Sequence, residues 1–235
     1  MKKILLSAFL LTSGAALAHG VWVAPHYGEL GIVYGMGAID DQYSPEKVQK
    51  VMAYDANFQP VSVEVVGQGN HSAVNPAEDA AVITASFNNG YWEKGETVKW
   101  QAVDKAAISN PADTSTSLKY NISLMKPYQG EMVPFDLPVQ VIPETDPSTL
   151  AQGDSLTVTV YVDGEPQADV PVTADYVGDA KNQQKTNAEG QVTLTVRNAG
   201  LNVVTALVNH PTPDDEYAHL QRSVATLSFK SAAKH

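Results

Sequence analysis

The 235-residue chain is acidic, with 26 aspartate and glutamate residues against 15 lysine and arginine residues and a formal net charge of −11. This balance argues against nucleic acid or anionic lipid as a partner, because both attract basic proteins, and it mildly favours cations. The chain has no cysteine, which excludes disulfides, thiolate metal sites and a cysteine nucleophile. Any transition metal would therefore be bound by histidine, by carboxylates or by a chain terminus.

The first 18 residues have the pattern of a cleavable export leader. Lys2 and Lys3 form a positive start, residues 4–11 form an apolar run, and Ala16-Leu17-Ala18 matches the small-x-small pattern that signal peptidase cleaves. The apolar run is shorter than the roughly 20 residues that a membrane-spanning helix needs. We therefore expect cleavage after Ala18 and export of the mature protein to a bacterial periplasm.

Cleavage after Ala18 would make His19 the first residue of the mature protein. A free α-amine has a reference pKa of roughly 7.7 to 8.0, so it deprotonates near neutral pH and can chelate one cation together with the Nδ1 atom of the same histidine. Nitrogen donors of this kind suit nickel, cobalt, copper and zinc. The β-prone run at residues 21–23 would hold this terminus still by placing it in a sheet. In the alternative interpretation, His19 simply follows the cleavage site in a frayed terminus.

Short β-prone runs bounded by turn residues predict an all-β fold for the first part of the mature chain. The residues Ser44-Pro45-Glu46 interrupt this pattern and predict a short helical turn. Turns are predicted at Asn57, at residues 67–70 and at Asn88-Asn89-Gly90. The predicted strands cover residues 32–34, 48–54, 61–66, 81–87, 97–103 and 118–124.

A proline-rich connector around residues 127–147 predicts a domain boundary near Pro138. The turn Asp163-Gly164 between two alternating apolar runs predicts a hairpin. We predict two β-sandwich-like domains, at residues 19–137 and 138–235, with an immunoglobulin-like second domain that ends in a short polar tail. The strands predicted after the boundary cover residues 139–142, 155–162, 170–177, 191–196, 201–208 and 223–229.

The order of several short motifs along the chain resembles a known family. The more specific combination is His19-x-x-Trp22-Val23-x-Pro25 with Asn89-Gly90-Tyr91-Trp92. The second half of the chain adds motifs that many bacterial immunoglobulin-like modules share, among them the run from Val141-Ile142-Pro143 to Gly153-Asp154, Asp163-Gly164-x-Pro166 and Ala225-Thr226-Leu227-Ser228-Phe229. With them the chain resembles the bacterial periplasmic family that is described as a domain of unknown function and as the periplasmic component of a nickel/cobalt (ABC-type Co2+) uptake system. The resemblance implies a β-rich, non-enzymatic protein that binds a divalent transition metal, nickel or cobalt above all, and presents it to inner-membrane transporter components.

Two further histidines are candidate ligands beside His19. His210 opens a proline-stiffened loop with acidic residues at positions 214–216, although the same pattern suits an ordinary acidic hairpin loop. His71 lies in a predicted loop and completes a site only if that loop meets the terminus. Three nitrogen donors in a plane would favour Cu(II) or Ni(II), whereas added carboxylates would suit octahedral nickel or cobalt. Of the remaining histidines, His26 stays a weaker candidate because of its closeness to His19, His219 is expected to be structural, and His235 belongs to the tail.

Tyr91, Trp92 and Trp100 suit either a small-ligand pocket or ordinary core packing. No hydrolase motif such as Gly-x-Ser-x-Gly or His-Glu-x-x-His occurs, so no catalytic residues are predicted. Two alternatives to the metal-binding accessory stay open. One is a copper-dependent oxidative enzyme with a terminal-histidine site, and the other is a structural or adhesive β module in which the histidines bind no metal.

Overall fold

The computed structural model describes residues 19–37, 40–95, 99–176 and 178–233, and the protein is all-β in this part of the chain. The predicted leader and His235 lie outside these residues. Short 3₁₀ turns occur at Pro45–Lys47, Lys105–Ala107, Pro111–Asp113, Pro147–Thr149 and Ala180–Asn182. In the described part of the chain, no helix has the length and apolar character needed to cross a membrane. The strands are β1 (Gly20–His26), β2 (Glu29–Gly35), β3 (Val48–Tyr54), β4 (Pro60–Val61), β5 (Val63–Gly67), β6 (Ser72–Pro76), β7 (Val82–Lys94), β8 (Trp100–Val103), β9 (Thr114–Leu124), β10 (Val139–Pro143), β11 (Ser155–Val162), β12 (Glu165–Pro166), β13 (Pro171–Thr173), β14 (Gln183–Lys185), β15 (Gln191–Thr195), β16 (Leu201–Pro211) and β17 (Leu220–Lys230).

Within the described residues, the strands form three sheets. The central sheet has the order β14-β13-β16-β17-β9-β7-β3-β4, with β8 added at β7. A sheet of order β1-β2-β6-β5, which we call the N-terminal sheet, packs on one face of it. The third sheet, made of β10, β11, β12 and β15, packs on the opposite face.

The alternation of side chains along the central strands explains why both faces of the central sheet are covered. On β17, Ala225, Leu227 and Phe229 belong to the larger core, which also contains residues of β10 and β11. On β7, Ile83 and Phe87 point the other way and pack against residues of β1 and β2. Apolar side chains on both faces of one sheet require a partner layer on each side, and the two outer sheets provide them.

The central sheet joins strands from both sides of the predicted boundary at Pro138. Strand β17 pairs with β9 in parallel along their whole shared length, from Leu220 opposite Ser115 to Phe229 opposite Leu124. The connector before β10 forms neither helix nor strand, and the buried side chain of Gln140 bonds the backbone of Phe135 and Leu137. The division into domains at 19–137 and 138–235 stays a prediction.

Three local predictions have clear outcomes in the backbone. The hairpin at Asp163-Gly164 is confirmed, with positive φ angles of 50° and 86°. The turn predicted at Asn88-Asn89-Gly90 is wrong, because β7 continues through it with a β-bulge, and Gly90 (φ 77°) provides the unusual backbone angle. The strand predicted over residues 170–177 is too long, since β13 ends at Thr173 and Tyr176 takes a φ of 54°.

Candidate metal centre

His19 directly precedes β1, and this strand is fixed on both sides. Along one edge β1 pairs with β2, with Gly20 opposite Gly35. Across the layer, Val23 N donates to Ser123 Oγ at 3.0 Å, and Val21 O accepts a hydrogen bond from Thr226 Oγ1. The β-prone run at residues 21–23 therefore lies in a sheet and holds the chain beside His19 in place, as predicted.

The imidazole of His19 is held by a carboxylate and by an aromatic ring. Its Nε2 lies 2.6 Å from Oδ2 of Asp41, and its ring stacks on Tyr34 with centroids 4.7 Å apart. An ionised carboxylate only accepts hydrogen bonds, so in the neutral form of the imidazole this contact places the proton on Nε2 and leaves the lone pair on Nδ1. Nδ1 is the atom that would form a chelate with an α-amine on the same residue.

The support beneath His19 continues into the protein. Tyr34 stacks on Phe87 with centroids 5.2 Å apart, and its hydroxyl accepts a hydrogen bond from Nδ2 of the buried Asn89 at 2.9 Å. Burial raises the pKa of Tyr34 to about 12, so the phenol is neutral at physiological pH. Lys47 Nζ donates to Asn89 Oδ1 at 2.9 Å and completes the network. Packing and hydrogen bonds thus fix the platform on which the His19 ring lies.

A second pair of histidines lies at the other end of β1. His26 ends this strand at a turn formed by Tyr27 and Gly28, both with positive φ, and His71 directly precedes β6. The rings of His26 and His71 are edge-to-face with centroids 5.7 Å apart. His26 Nε2 lies 3.2 Å from Asp40 Oδ2, and His71 Nε2 lies 2.9 Å from Glu29 Oε1.

The structure therefore pairs His71 with His26, and His19 has its own carboxylate partner. The neighbouring residues Asp40 and Asp41 contact His26 and His19, so two adjacent carboxylates bind the two ends of the same strand. Within the described residues, no group of three or more histidine and carboxylate side chains converges on one point as a ready-made metal cage. The role of His71 as a ligand stays a prediction. The histidine that lies beside His71 is His26.

His210 lies apart from the terminal histidine. It is paired with Gln221 near the end of β16, and the alternation along this strand places it on the same face as Ala206 and Val208. Both of these residues belong to the core that faces the third sheet, whereas β1 packs on the opposite face, where Trp22 contacts Val203. The structure does not bring His210 to His19, and its role as a ligand stays a prediction.

Sequence reasoning missed the carboxylates of this region. Glu29, Asp40 and Asp41 each contact a histidine, but no spacing relative to the histidines marks them in the chain. The only available signal is that Asp40 and Asp41 form an acidic pair, and such pairs are common on protein surfaces. The expectation that His219 is structural agrees with its contacts, since its backbone N donates to Pro111 O and its Nδ1 lies 3.3 Å from the same oxygen.

With the predicted cleavage, His19 would offer a transition metal two nitrogen donors, the α-amine and Nδ1, and would leave the other coordination positions open. The side chain of His19 is 20% exposed, so a bound ion would stay within reach of solvent or of a second protein. Metal-ligating histidines usually donate their second ring N–H to a carboxylate, which fixes the tautomer and the ring orientation, and Asp41 is placed to do this. The nitrogen donors of His19 would bind such an ion reversibly.

The predicted aromatic residues take separate roles. Trp92 Nε1 donates to Asn89 O at 3.1 Å, Tyr91 lies near Tyr217, and Trp100 lies against Arg222 with 4.4 Å between its ring centroid and the guanidinium carbon. They do not line one common pocket wall, because the bulge in β7 and the alternation of side chains turn Tyr91 and Trp92 to opposite faces.

Comparison with known proteins gives one match. No curated protein and no solved structure matches the chain significantly. A sequence profile described as a domain of unknown function (DUF4198) matches residues 16–210, which is well over half of the chain. The protein therefore belongs to the DUF4198 family.

Proposed function

We propose that the protein is a periplasmic accessory of a metal-uptake system that binds nickel or cobalt through its mature N-terminal histidine. The observation that carries the proposal is the hydrogen bond of 2.6 Å between His19 Nε2 and Asp41. It leaves Nδ1 free on the side of the ring from which a chelate with the α-amine can form. The proposal includes cleavage after Ala18, export to the periplasm and a binding role without catalysis.

An amine and one imidazole occupy only part of a metal's coordination shell. The open positions suit a protein that passes its metal on, because an incoming ligand can enter before the first ones leave. We propose that this ligand comes from inner-membrane transporter components. The acidic surface of the chain would raise the local concentration of cations near the site.

The proposed ligands explain why binding should depend on pH. The amine and the imidazole bind metal only in their unprotonated forms, so protons compete with the metal and binding weakens in acid. Asp41 would act as a positioning residue that holds the ring in the correct tautomer. Loss of such a partner typically weakens metal affinity by about 10- to 100-fold.

The test is calorimetric titration of Ni(II), Co(II), Cu(II) and Zn(II) into protein that begins at His19 and into protein with one extra residue before His19. The extra residue turns the terminal amine of His19 into an amide and leaves the imidazole in place. We expect tight binding by the first protein and a loss of at least tenfold in the second. The Asp41→Asn variant should also bind more weakly, whereas His219→Gln, at a histidine far along the chain, serves as the matched control.

Equal binding by the two N-terminal forms would refute the proposal. A loss of binding in His71→Gln, with no effect of the extra residue, would refute it as well and would move the site to the pair of His26 and His71. The second result would show a metal site at the other end of β1.

A further inference from the structure

Two basic side chains, Lys119 and Arg222, lie on neighbouring strands, on the face of the central sheet that the N-terminal sheet covers. Strands β9 and β17 run in parallel, with Ser117 opposite Arg222 and Lys119 opposite Val224. Alternation along β9 places Ser115, Ser117 and Lys119 on one face, and each of them is at most 1% exposed. This is the face that the N-terminal sheet covers, because Lys119 is also paired with Phe87, a core residue under that sheet.

Neither of these positive side chains has a carboxylate partner within 4.0 Å among the described residues. Arg222 instead lies over the ring of Trp100. Buried charges in proteins are normally paired, since transfer of an unpaired charge from water costs several kcal/mol. In a chain with 26 acidic residues, two basic side chains on neighbouring strands without a carboxylate partner require a reason.

The polar atoms around these two side chains are also unsatisfied. Ser115 Oγ, Ser117 Oγ and Arg222 Nε are buried and have no hydrogen-bond partner within the described part of the chain. Most buried polar groups have a partner, so several unpartnered donors on neighbouring strand positions make this cluster a candidate binding site. Each of the three can donate a hydrogen bond, as can the ammonium of Lys119. A ligand that satisfied all of them would be rich in acceptors and negatively charged.

We propose that Lys119, Arg222, Ser115 and Ser117 form a binding site for a small oxyanion, in the form of a carboxylate or a phosphate-like group. The planar guanidinium of Arg222 suits paired oxygens, and Lys119 adds a second positive charge on the adjacent strand. The indole of Trp100 holds Arg222 in place from one side. This site adjoins the platform under His19, because Lys119 is paired with Phe87, which stacks on Tyr34. The proposal does not depend on metal binding at His19.

The electrostatics of the site agree with this assignment. Burial, followed by the charge of Arg222, lowers the pKa of Lys119 to about 7. Burial also lowers the pKa of Arg222. A bound anion would favour the charged form of Lys119, so the anion and the proton should bind together. Affinity for an anion of constant charge should then fall as the pH rises through about 7.

The test uses the mature chain, with tryptophan fluorescence and calorimetry in chloride buffer at constant ionic strength. Sulfate and phosphate test a tetrahedral anion, whereas acetate and citrate test a carboxylate. We expect saturable binding of at least one class, tenfold or more weaker binding in Lys119→Met, and weaker binding of sulfate at pH 8 than at pH 6. Lys50→Met, at an exposed lysine that pairs with Asp136, is the matched control and should bind as the wild type does.

Arg222→Gln gives a second, independent variant if Lys119→Met does not fold. Absence of any saturable binding by the wild-type chain would overturn the proposal. Unchanged affinity in Arg222→Gln or Lys119→Met would overturn it as well. A direct readout is the pKa of the Lys119 side chain measured by NMR, which should rise when the anion binds and stay unchanged if the anion binds elsewhere.

Discussion

Replacement of Lys119 by methionine tests how strongly a buried charge weakens this fold. Lys119 is 1% exposed, and burial lowers its pKa to about 7, whereas lysine in an unfolded chain has a pKa of about 10.4. Below pH 7 both states are protonated, and the folded state bears the full cost of the buried charge. With about 1.36 kcal/mol for each pKa unit, that cost is about 5 kcal/mol.

The sign of the pH dependence follows from proton binding. Between pH 7 and pH 10 the unfolded chain binds more protons at this site than the folded one, so the free energy of unfolding of the wild type rises with pH. Methionine fills a similar volume and does not titrate. We expect Lys119→Met to be more stable than the wild type by about 4 kcal/mol at pH 7, and this difference to narrow to about 2 kcal/mol at pH 9.

The assay is urea unfolding of both proteins at several pH values in chloride buffer without oxyanions. The difference between the two proteins cancels the titration of other groups, including the tyrosines whose pKa burial raises. Parallel stability curves with a constant difference would refute the reasoning, because they would show that the amine keeps its ordinary pKa in the folded protein. A Lys119→Met variant that is less stable than the wild type at pH 7 would contradict the expected cost of the buried charge.

Other substitutions test the contacts that fix the loops and the N-terminal sheet. Asn202→Ala should lower the free energy of unfolding by about 2 to 4 kcal/mol in urea titrations, because the buried side chain bonds the backbone of Arg197, Asn198 and Gly200. A decrease in this free energy below about 0.5 kcal/mol would contradict the prediction. Gly190→Ala should lower the stability of the fold clearly more than Gly164→Ala. Both glycines have a positive φ, but a Cβ at Gly190 would lie 2.8 Å from Gln167 N, whereas nothing lies within 4 Å of a Cβ at Gly164. Equal midpoints of thermal unfolding for the two variants would show that this crowding relaxes freely. Tyr43→Phe should cost about 1 to 3 kcal/mol, because the hydroxyl donates to Ile32 O and accepts from Ser72 N in the buried layer, and unchanged hydrogen exchange at the Ser72 amide would argue against the second bond.

The local parts of the fold followed from the sequence. Alternating apolar residues predicted most of the strands, and the Asp163-Gly164 turn was predicted because its backbone angles favour those residue types. The errors occurred where a distant contact overrides a local preference. Asn89 looked like a turn residue, but its side chain bonds Tyr34 and Lys47, which stabilises a bulge within one long strand.

The candidate site was predictable only in part. His19 was identified because a leader directly precedes it, a signal that depends on chain order alone. Its partner Asp41 lies 22 positions away, and the contact exists because β1 pairs with β2 and Asp40 bridges Gly35 at the end of β2, opposite the start of β1. The pairing of His26 with His71 likewise depends on the register of β2 with β6.

The sequence by itself determined that the protein is all-β and where most strands and turns lie, because these depend on side-chain alternation and on backbone preferences of single residues. Only the tertiary structure decided that one central sheet contains strands from both halves of the chain, since strand pairing is a long-range contact. It also decided which carboxylate contacts each histidine and that Lys119 lies buried beside Arg222. The contacts of these side chains depend on the face and register of each strand, because a shift by a single residue moves every side chain of a strand to the other face.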